Sequence, residues 1–319
     1  MTGYPSPTLS VVACFYNEEP VVDRFFQELV AVLDALPDMP FEIICVDDGS
    51  QDRTLERLLD HCTSDRRIRV IELTRNFGKE AALTAGIDAA RGDALIPIDA
   101  DLQDPPSLIP TLIERWRSGA EVVLARRRDR STDGLLKRCT AAWFYRLHNA
   151  LSPIHLPEDV GDFRLIDRAV IEALKQFPER QRFMKGLFAW VGFKTAVVDY
   201  SRQSRFAGKS KFSGWKLWNF ALEGVTSFTS LPLRVWTYVG LAGALLSLCY
   251  AIFIVSRTLM LGIDVPGYAS LLVAILFMGS MQLLSIGLLG EYIGRIYAES
   301  KGRPIYLVRR RYGQDTQAS

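Results

Sequence analysis

Four short strand-like runs in the first hundred residues each stop at a polar tip, and a helix-like segment follows each one. Leu9 to Phe15 ends at Tyr16-Asn17-Glu18-Glu19, and Phe41 to Val46 ends at Asp47-Asp48-Gly49-Ser50. Arg69 to Leu73 runs into Arg75-Asn76-Phe77-Gly78-Lys79. Ala94 to Ile98 runs into Asp99-Ala100-Asp101-Leu102-Gln103-Asp104-Pro105-Pro106. Helical spacing covers Val21 to Leu36, Asp52 to His61, Glu80 to Ala90 and Pro106 to Ser118, with a further strand at Glu121 to Ala125. Continuous apolar strands alternating with amphipathic helices predict an α/β fold, a mainly parallel sheet with helices on both faces. Ligands bind such sheets at the carboxyl ends of the strands, where these tips fall.

The chain has 319 residues, enough for one large or two modest domains. Its 38 basic and 36 acidic residues nearly cancel, which argues against a nucleic-acid binder. The five cysteines are scattered without a CxxC pair, and His61, His148 and His155 do not cluster. That pattern disfavours a disulfide framework and a zinc site and suits a reducing compartment. Residues 1–10 do not read as a signal peptide. With neither GxGxxG nor GxxxxGK[ST] at a strand end, a dinucleotide fold and a P-loop are unsupported.

Each tip has an ordinary reading, since Asp, Asn and Ser cap helices and make turns. Each also has a chemical one. Asp99 and Asp101, two apart on an irregular tip, can converge on a hard cation such as Mg²⁺ or Mn²⁺, which shares its shell with phosphate oxygens. Asp47 and Asp48 can accept from ribose hydroxyls or a base edge, and Gly78 and Lys79 can approach a phosphate or base.

Together these motifs resemble the inverting family 2 glycosyltransferases with a GT-A (Rossmann-like) fold. The resemblance is to the polyprenyl-phosphate glycosyltransferases, the group containing dolichyl-phosphate mannose synthase and bacterial bactoprenol glucosyltransferases. It covers essentially the whole chain, and the Asp-Ala-Asp-Leu-Gln-Asp-Pro-Pro string is its most specific part. The resemblance implies that Asp99, Asp101 and Gln103 hold the metal and the diphosphate of a nucleotide sugar, with Ala100 beside them. It implies that Asp47 and Asp48 contact the nucleoside with the Tyr16, Asn17 and Glu18 tip beside them, and Gly78 and Lys79 join them as nucleotide-sugar-binding candidates. It makes Asp159 and Asp162 active-site candidates, with Arg164 a weaker one, whereas Asp167 reads as the cap of the helix starting at Arg168. Residues 201–212 resemble the family's Arg-x-x-Gly-x-Ser-Lys-Phe segment. Arg202, Arg205, Lys209 and Lys211 would therefore meet the diphosphate and acceptor phosphate, with Arg126 and Lys137 as further acceptor contacts. Arg202 joins Asp99, Asp101, Asp159 and Asp162 as a catalytic candidate. A basic run is otherwise a solvated face.

Two uncharged apolar stretches, Val235 to Ser256 and Tyr268 to Gly290, each meet the roughly 20 residues that a bilayer span needs. The short connection makes them an antiparallel hairpin. Arg234 precedes the first, and Arg295, Lys301, Arg303, Arg309, Arg310 and Arg311 follow the second, while the turn carries only Arg257. The positive-inside rule then places the catalytic domain and both termini in the cytoplasm of a multi-pass plasma-membrane protein. Trp215, Leu217, Trp218, Phe220 and Leu222 suggest an interfacial helix before the hairpin. The helix 135–151, with its stripe of Leu136, Cys139, Trp143, Leu147 and Leu151, fits packing on the sheet or leaning on lipid.

The expected organisation is a catalytic domain over 1–210, an interfacial region over 211–232, the hairpin over 233–292 and a basic tail over 293–319. The expected reaction is transfer of a hexose, glucose from UDP-glucose by resemblance, to undecaprenyl phosphate with inversion. Mannose from GDP-mannose, or aminoarabinose or N-acetylhexosamine donors, are alternatives, as is a processive polysaccharide synthase. The processive reading lacks a Gln-x-x-Arg-Trp motif after Asp162. A nucleotidyltransferase leaves the hairpin unexplained, and a membrane scaffold leaves Asp99, Asp101 and Gln103 unexplained. Expected partners are the nucleotide sugar, the polyprenyl phosphate, the membrane, other copies of the chain through Gly240, Gly243 and Ala244, a flippase and a downstream glycosyltransferase.

Overall fold

The structure, a computed structural model, describes residues 9–36, 39–127, 160–177, 179, 184–200 and 267–313, with part of 238–260. The chain forms two units, one from residues 1–220 with 303–319 and the other from residues 221–302. The first is built on an eight-stranded sheet. Its strands are β1 (Leu9–Phe15), β2 (Phe41–Asp47), β3 (Ile68–Leu73), β4 (Ala94–Asp99), β5 (Val122–Arg127), β6 (Val160–Asp167), β7 (Thr195–Tyr200) and β8 (Val308–Tyr312). Their order is β7-β5-β6-β4-β1-β2-β3-β8.

The central strands β4, β1, β2 and β3 are parallel neighbours. β1 to β4 are buried almost throughout, which suits their largely apolar sequences, and within them Glu42 is paired with Arg69, and Glu72 with Arg309 and Tyr312. The helices α1 (Val22–Asp34), α2 (Thr54–Ser64), α3 (Lys79–Ala89) and α4 (Ile109–Arg117) fill the connections. α1 turns Val22, Phe25, Phe26, Leu29 and Leu33 inward, one stripe at helical spacing. α3 is buried on nearly every side over Ala81 to Ile87. It lies so close to β1 that a Cβ on Gly86 would overlap Val12 Cγ1.

Two strands run against the rest. β6 is antiparallel to both β4 and β5, so its first residues reach the edge where the other strands end. β8 pairs antiparallel with β3 and closes that side of the sheet. Residues 303–313, expected as part of a basic tail, thus contribute a strand. Glu72, buried on β3, accepts from Tyr312 Oη at 2.9 Å and from Arg309 at 3.4 Å, and Tyr306 Oη donates to Asp88 at 2.8 Å. Helices α5 (Arg168–Lys175) and α6 (Met184–Trp190) complete this unit. Asp167 Oδ1 accepts from the Ala169 N–H at 2.9 Å, the expected cap of α5.

In the second unit, α7 (Tyr268–Ser300) is 33 residues long, about 50 Å at helical rise. It continues ten residues past the expected end of the apolar stretch, through Glu291 to Ser300, where Gly294 does not break it. The described residues between 238 and 260 are helical. Among the described residues, no helix is long and apolar enough to cross a membrane. Several side chains of 268–290, whose sequence carries no charge, lie outside that description. Leu271, Ile275, Phe277, Leu283, Leu284 and Ile286 are all exposed.

Candidate active site

The strand tips converge on one edge and are tied to each other. The Asn17 N–H donates to Ser50 Oγ at 3.1 Å, and Asn17 Oδ1 accepts from the Gln51 N–H at 2.8 Å. The Glu18 N–H donates to Thr54 Oγ1 at 2.9 Å. Asn17 sits at φ 53°, a left-handed conformation that Asn tolerates better than most residues. Tyr16 is exposed beside it, with 36% of its surface accessible.

Asp47 and Asp48 behave differently although adjacent. Asp48 accepts from the Phe77 N–H at 2.7 Å with Oδ1 and from the Gly78 N–H at 2.9 Å with Oδ2. Both its oxygens pin the loop that leads into α3. That loop packs on Gly49, at φ 68°, where a Cβ would come within 2.5 Å of the Arg75 carbonyl carbon. Gly78, at φ 98°, has open space where a Cβ would stand. Asp47 is buried and accepts from the Ser50 N–H at 3.2 Å through Oδ2. Its Oδ1 is buried without a hydrogen-bond partner among the described residues. Burial pushes both carboxyls above their ordinary value, against the hydrogen bonds from Ser50 to Asp47 and from Phe77 and Gly78 to Asp48. An orphaned buried acceptor at a sheet edge suits a ligand N–H or hydroxyl.

Asp99 ends β4. Lys79, the first residue of α3, places Nζ 2.6 Å from Asp99 Oδ1 and 2.6 Å from Asp162 Oδ2. Asp162 arrives here because β6 runs antiparallel and brings its N-terminal end to this edge. Burial alone would lower the lysine's pKa, but the Asp162 and Asp99 carboxylates hold it well above the ordinary range. The next turn is strained: Leu102, a buried non-glycine, stands at φ 55°. The Gln103 N–H donates to Asp101 Oδ1 at 3.2 Å. Asp99, Asp101 and the Gln103 amide are hard oxygen donors of the kind Mg²⁺ and Mn²⁺ prefer. Among the described residues no three His, Cys, Asp or Glu side chains are grouped to hold a metal. An ammonium is the cation that Asp99 meets. The donor chemistry fits a divalent ion that completes its shell from phosphate oxygens.

Asp104 does not cap the following helix. It is buried, accepts from Tyr200 Oη and lies 3.9 Å from Arg127. Burial and the Asp104 carboxylate push the Tyr200 phenol up to about 12, so it stays a donor. This link between the β4 tip and β7 was not legible in the sequence, since Tyr200 lies 96 positions away. Arg126 is bound to Asp199 on β7 through two hydrogen bonds, at 2.7 and 3.1 Å. Arg164 is buried, donates to Gly161 O at 2.7 Å and covers the Phe188 ring, so it braces the start of β6. Lys137, Asp159, Arg202, Arg205, Lys209 and Lys211, the helix 135–151 and the interfacial region 211–232 lie outside the described residues.

Residues 10–175 match the model of the glycosyl transferase family 2 domain, just over half of the chain. The chain belongs to glycosyl transferase family 2. Residues 231–296 match a second model, the GtrB C-terminal hairpin. The family's GT-A fold is the α/β sheet described above. Among family members, a bactoprenol glucosyl transferase of Shigella phage SfV is 54% identical over 301 residues, covering 94% of this chain and 98% of its own. A prophage bactoprenol glucosyl transferase homologue of Escherichia coli K12 is 52% identical, covering 95% of this chain and 98% of its own. An uncharacterised glycosyltransferase, sll0501 of Synechocystis, is 55% identical, with 94% of each chain covered.

Proposed function

We propose that this family 2 glycosyltransferase moves glucose from UDP-glucose to a polyprenyl phosphate and inverts the anomeric centre. One observation carries the reading. The groups suited to a nucleotide diphosphate, Asp47, Lys79, Asp99 and Asp101, stand on the strand tips of a chain that matches the bactoprenol glucosyl transferases at over half identity along nearly its full length.

In this reading the unpartnered Asp47 Oδ1 accepts from the nucleobase, and Asp48 acts indirectly by fixing the loop that carries Gly78 and Lys79. Asp99, Asp101 and Gln103 would hold the divalent ion, whose positive charge stabilises the leaving diphosphate. A phosphate oxygen of the lipid bonds to the anomeric carbon as the bond from that carbon to the UDP oxygen breaks. With a second pKa of about 6, that phosphate is already largely anionic at neutral pH, so no strong base is needed. The larger problem is bringing two anions together. Arg202, Arg205, Lys209, Lys211 and Lys137 are assigned to it, and Arg126 joins them by exchanging Asp199 for phosphate.

The hairpin takes the enzyme to its lipid. Residues 235–256 and 268–290 are each long enough for a span, and the exposed apolar surface of α7 supports burial in lipid. The basic residues flanking the hairpin support a cytoplasmic catalytic unit. Membranes containing the protein, given undecaprenyl phosphate and a panel of labelled nucleotide sugars, test the proposal. UDP-glucose should give the fastest organic-extractable product. Preference for GDP-mannose or UDP-N-acetylglucosamine would overturn the sugar assignment, and an insoluble polymer would overturn the reaction.

A further inference from the structure

Lys79 stands where its charge is locally unwelcome. It is the first residue of α3, and the positive end of the helix dipole disfavours a cation there. Its side chain is nevertheless drawn between two carboxylates from two other strands, at 2.6 Å each. One of them, Asp99, is also a ligand assigned to the divalent ion. A divalent ion at Asp99 would therefore meet this ammonium at close range, whichever carboxylate oxygen it takes, and the two like charges repel.

We propose that Lys79 is an internal placeholder for the metal. With the site empty, its ammonium neutralises Asp99 and Asp162 and keeps the two strand ends together. When the metal and donor enter, the ammonium gives up Asp99 and remains with Asp162, beside the incoming diphosphate. The long flexible stem, with 45% of the side chain exposed, allows this shift without movement of α3. The exchange makes bare metal bind weakly and makes tight metal binding depend on the nucleotide diphosphate, which offers the displaced ammonium a second anion. This inference rests on the metal assignment of the preceding section.

Titration of the purified full-length enzyme with Mn²⁺ alone, read by calorimetry, tests it in four proteins. Close charge pairs couple by at least about 1.4 kcal/mol, so Lys79→Met should bind bare Mn²⁺ about tenfold more tightly than the wild type. Lys79→Arg keeps the charge and should stay within about twofold of the wild type by the same reasoning. Asp101→Asn should bind Mn²⁺ poorly. As a second readout, Mn²⁺ should raise the melting temperature of Lys79→Met by more than it raises that of the wild type. If Lys79→Met binds bare Mn²⁺ no more tightly than the wild type while Asp101→Asn loses binding, the placeholder role fails and the metal site stands. If Asp101→Asn binds Mn²⁺ like the wild type, the metal site fails and takes the placeholder with it.

Discussion

At the scale of single residues, Asp47 and Asp48 divide one dipeptide into a carboxylate whose buried Oδ1 has no partner among the described residues and a carboxylate that holds the next loop. A buried carboxylate with an unpartnered oxygen costs stability, on the order of 1–3 kcal/mol. Asp47→Asn should therefore raise the melting temperature at neutral pH while weakening UDP binding at least tenfold by calorimetry. Its pKa is raised by burial, so the folded protein takes up this proton at a higher pH than the unfolded chain does. UDP affinity should be full above the raised pKa and decline as pH falls through it, beginning at a higher pH than an ordinary aspartate would dictate. An affinity that is flat with pH, or that rises on acidification, contradicts the role. Gly49→Ala should displace the 75–78 loop, because the added methyl meets backbone at 2.5 Å. Loss of UDP binding with retained membrane insertion is the expected outcome. That the acidic tips gather at one edge was legible because the buried parallel strands that carry them end on the same side. Which carboxylate keeps an unpartnered oxygen and which faces the Phe77 and Gly78 amides was not, since both are Asp and the deciding contacts span 29 and 30 positions.

At the scale of elements, β1 to β4 and their helices were readable because apolar period and strand tips agree at each step. β6 and β8 were not. The pairing of β6 is decided by partners far along the chain, and nothing local marks it as antiparallel. β8, Val-Arg-Arg-Arg-Tyr, reads as a basic tail. It becomes a strand because Glu72 awaits Arg309 and Tyr312 on β3 and because the Thr74 N–H donates to Leu307 O at 3.0 Å. This last bond comes directly before the loop held by Asp48. Tyr312→Phe should loosen that edge, raising hydrogen exchange across 70–78. Unchanged exchange would show that β8 is not needed there. At the opposite end of the sheet, Glu42 accepts from Ser10 Oγ and Arg69 at 2.7 Å each and from the Arg91 N–H at 2.8 Å. Removing one partner of a buried pair costs about 3–5 kcal/mol, so Glu42→Ala should lower the melting temperature sharply without a specific effect on metal or nucleotide affinity.

At the scale of the whole molecule, the chain leaves the sheet, passes through the segment that matches the GtrB C-terminal hairpin and returns to supply β8. The proposed topology gives the turn 257–267 to the outside. A cysteine introduced at Asp264 should react with a membrane-impermeant thiol reagent in intact cells, and labelling only after permeabilisation would reverse the orientation. The central claim is that the Asp99–Asp101 tip serves sugar transfer to a lipid phosphate. Membranes carrying the wild type or Asp101→Ala, supplied with labelled UDP-glucose and undecaprenyl phosphate, test it most directly. The account predicts a β-linked glucosyl lipid in the organic phase from the wild type and none from an equally inserted Asp101→Ala. Equal amounts of glucosyl lipid from both, or none from the wild type, would contradict it.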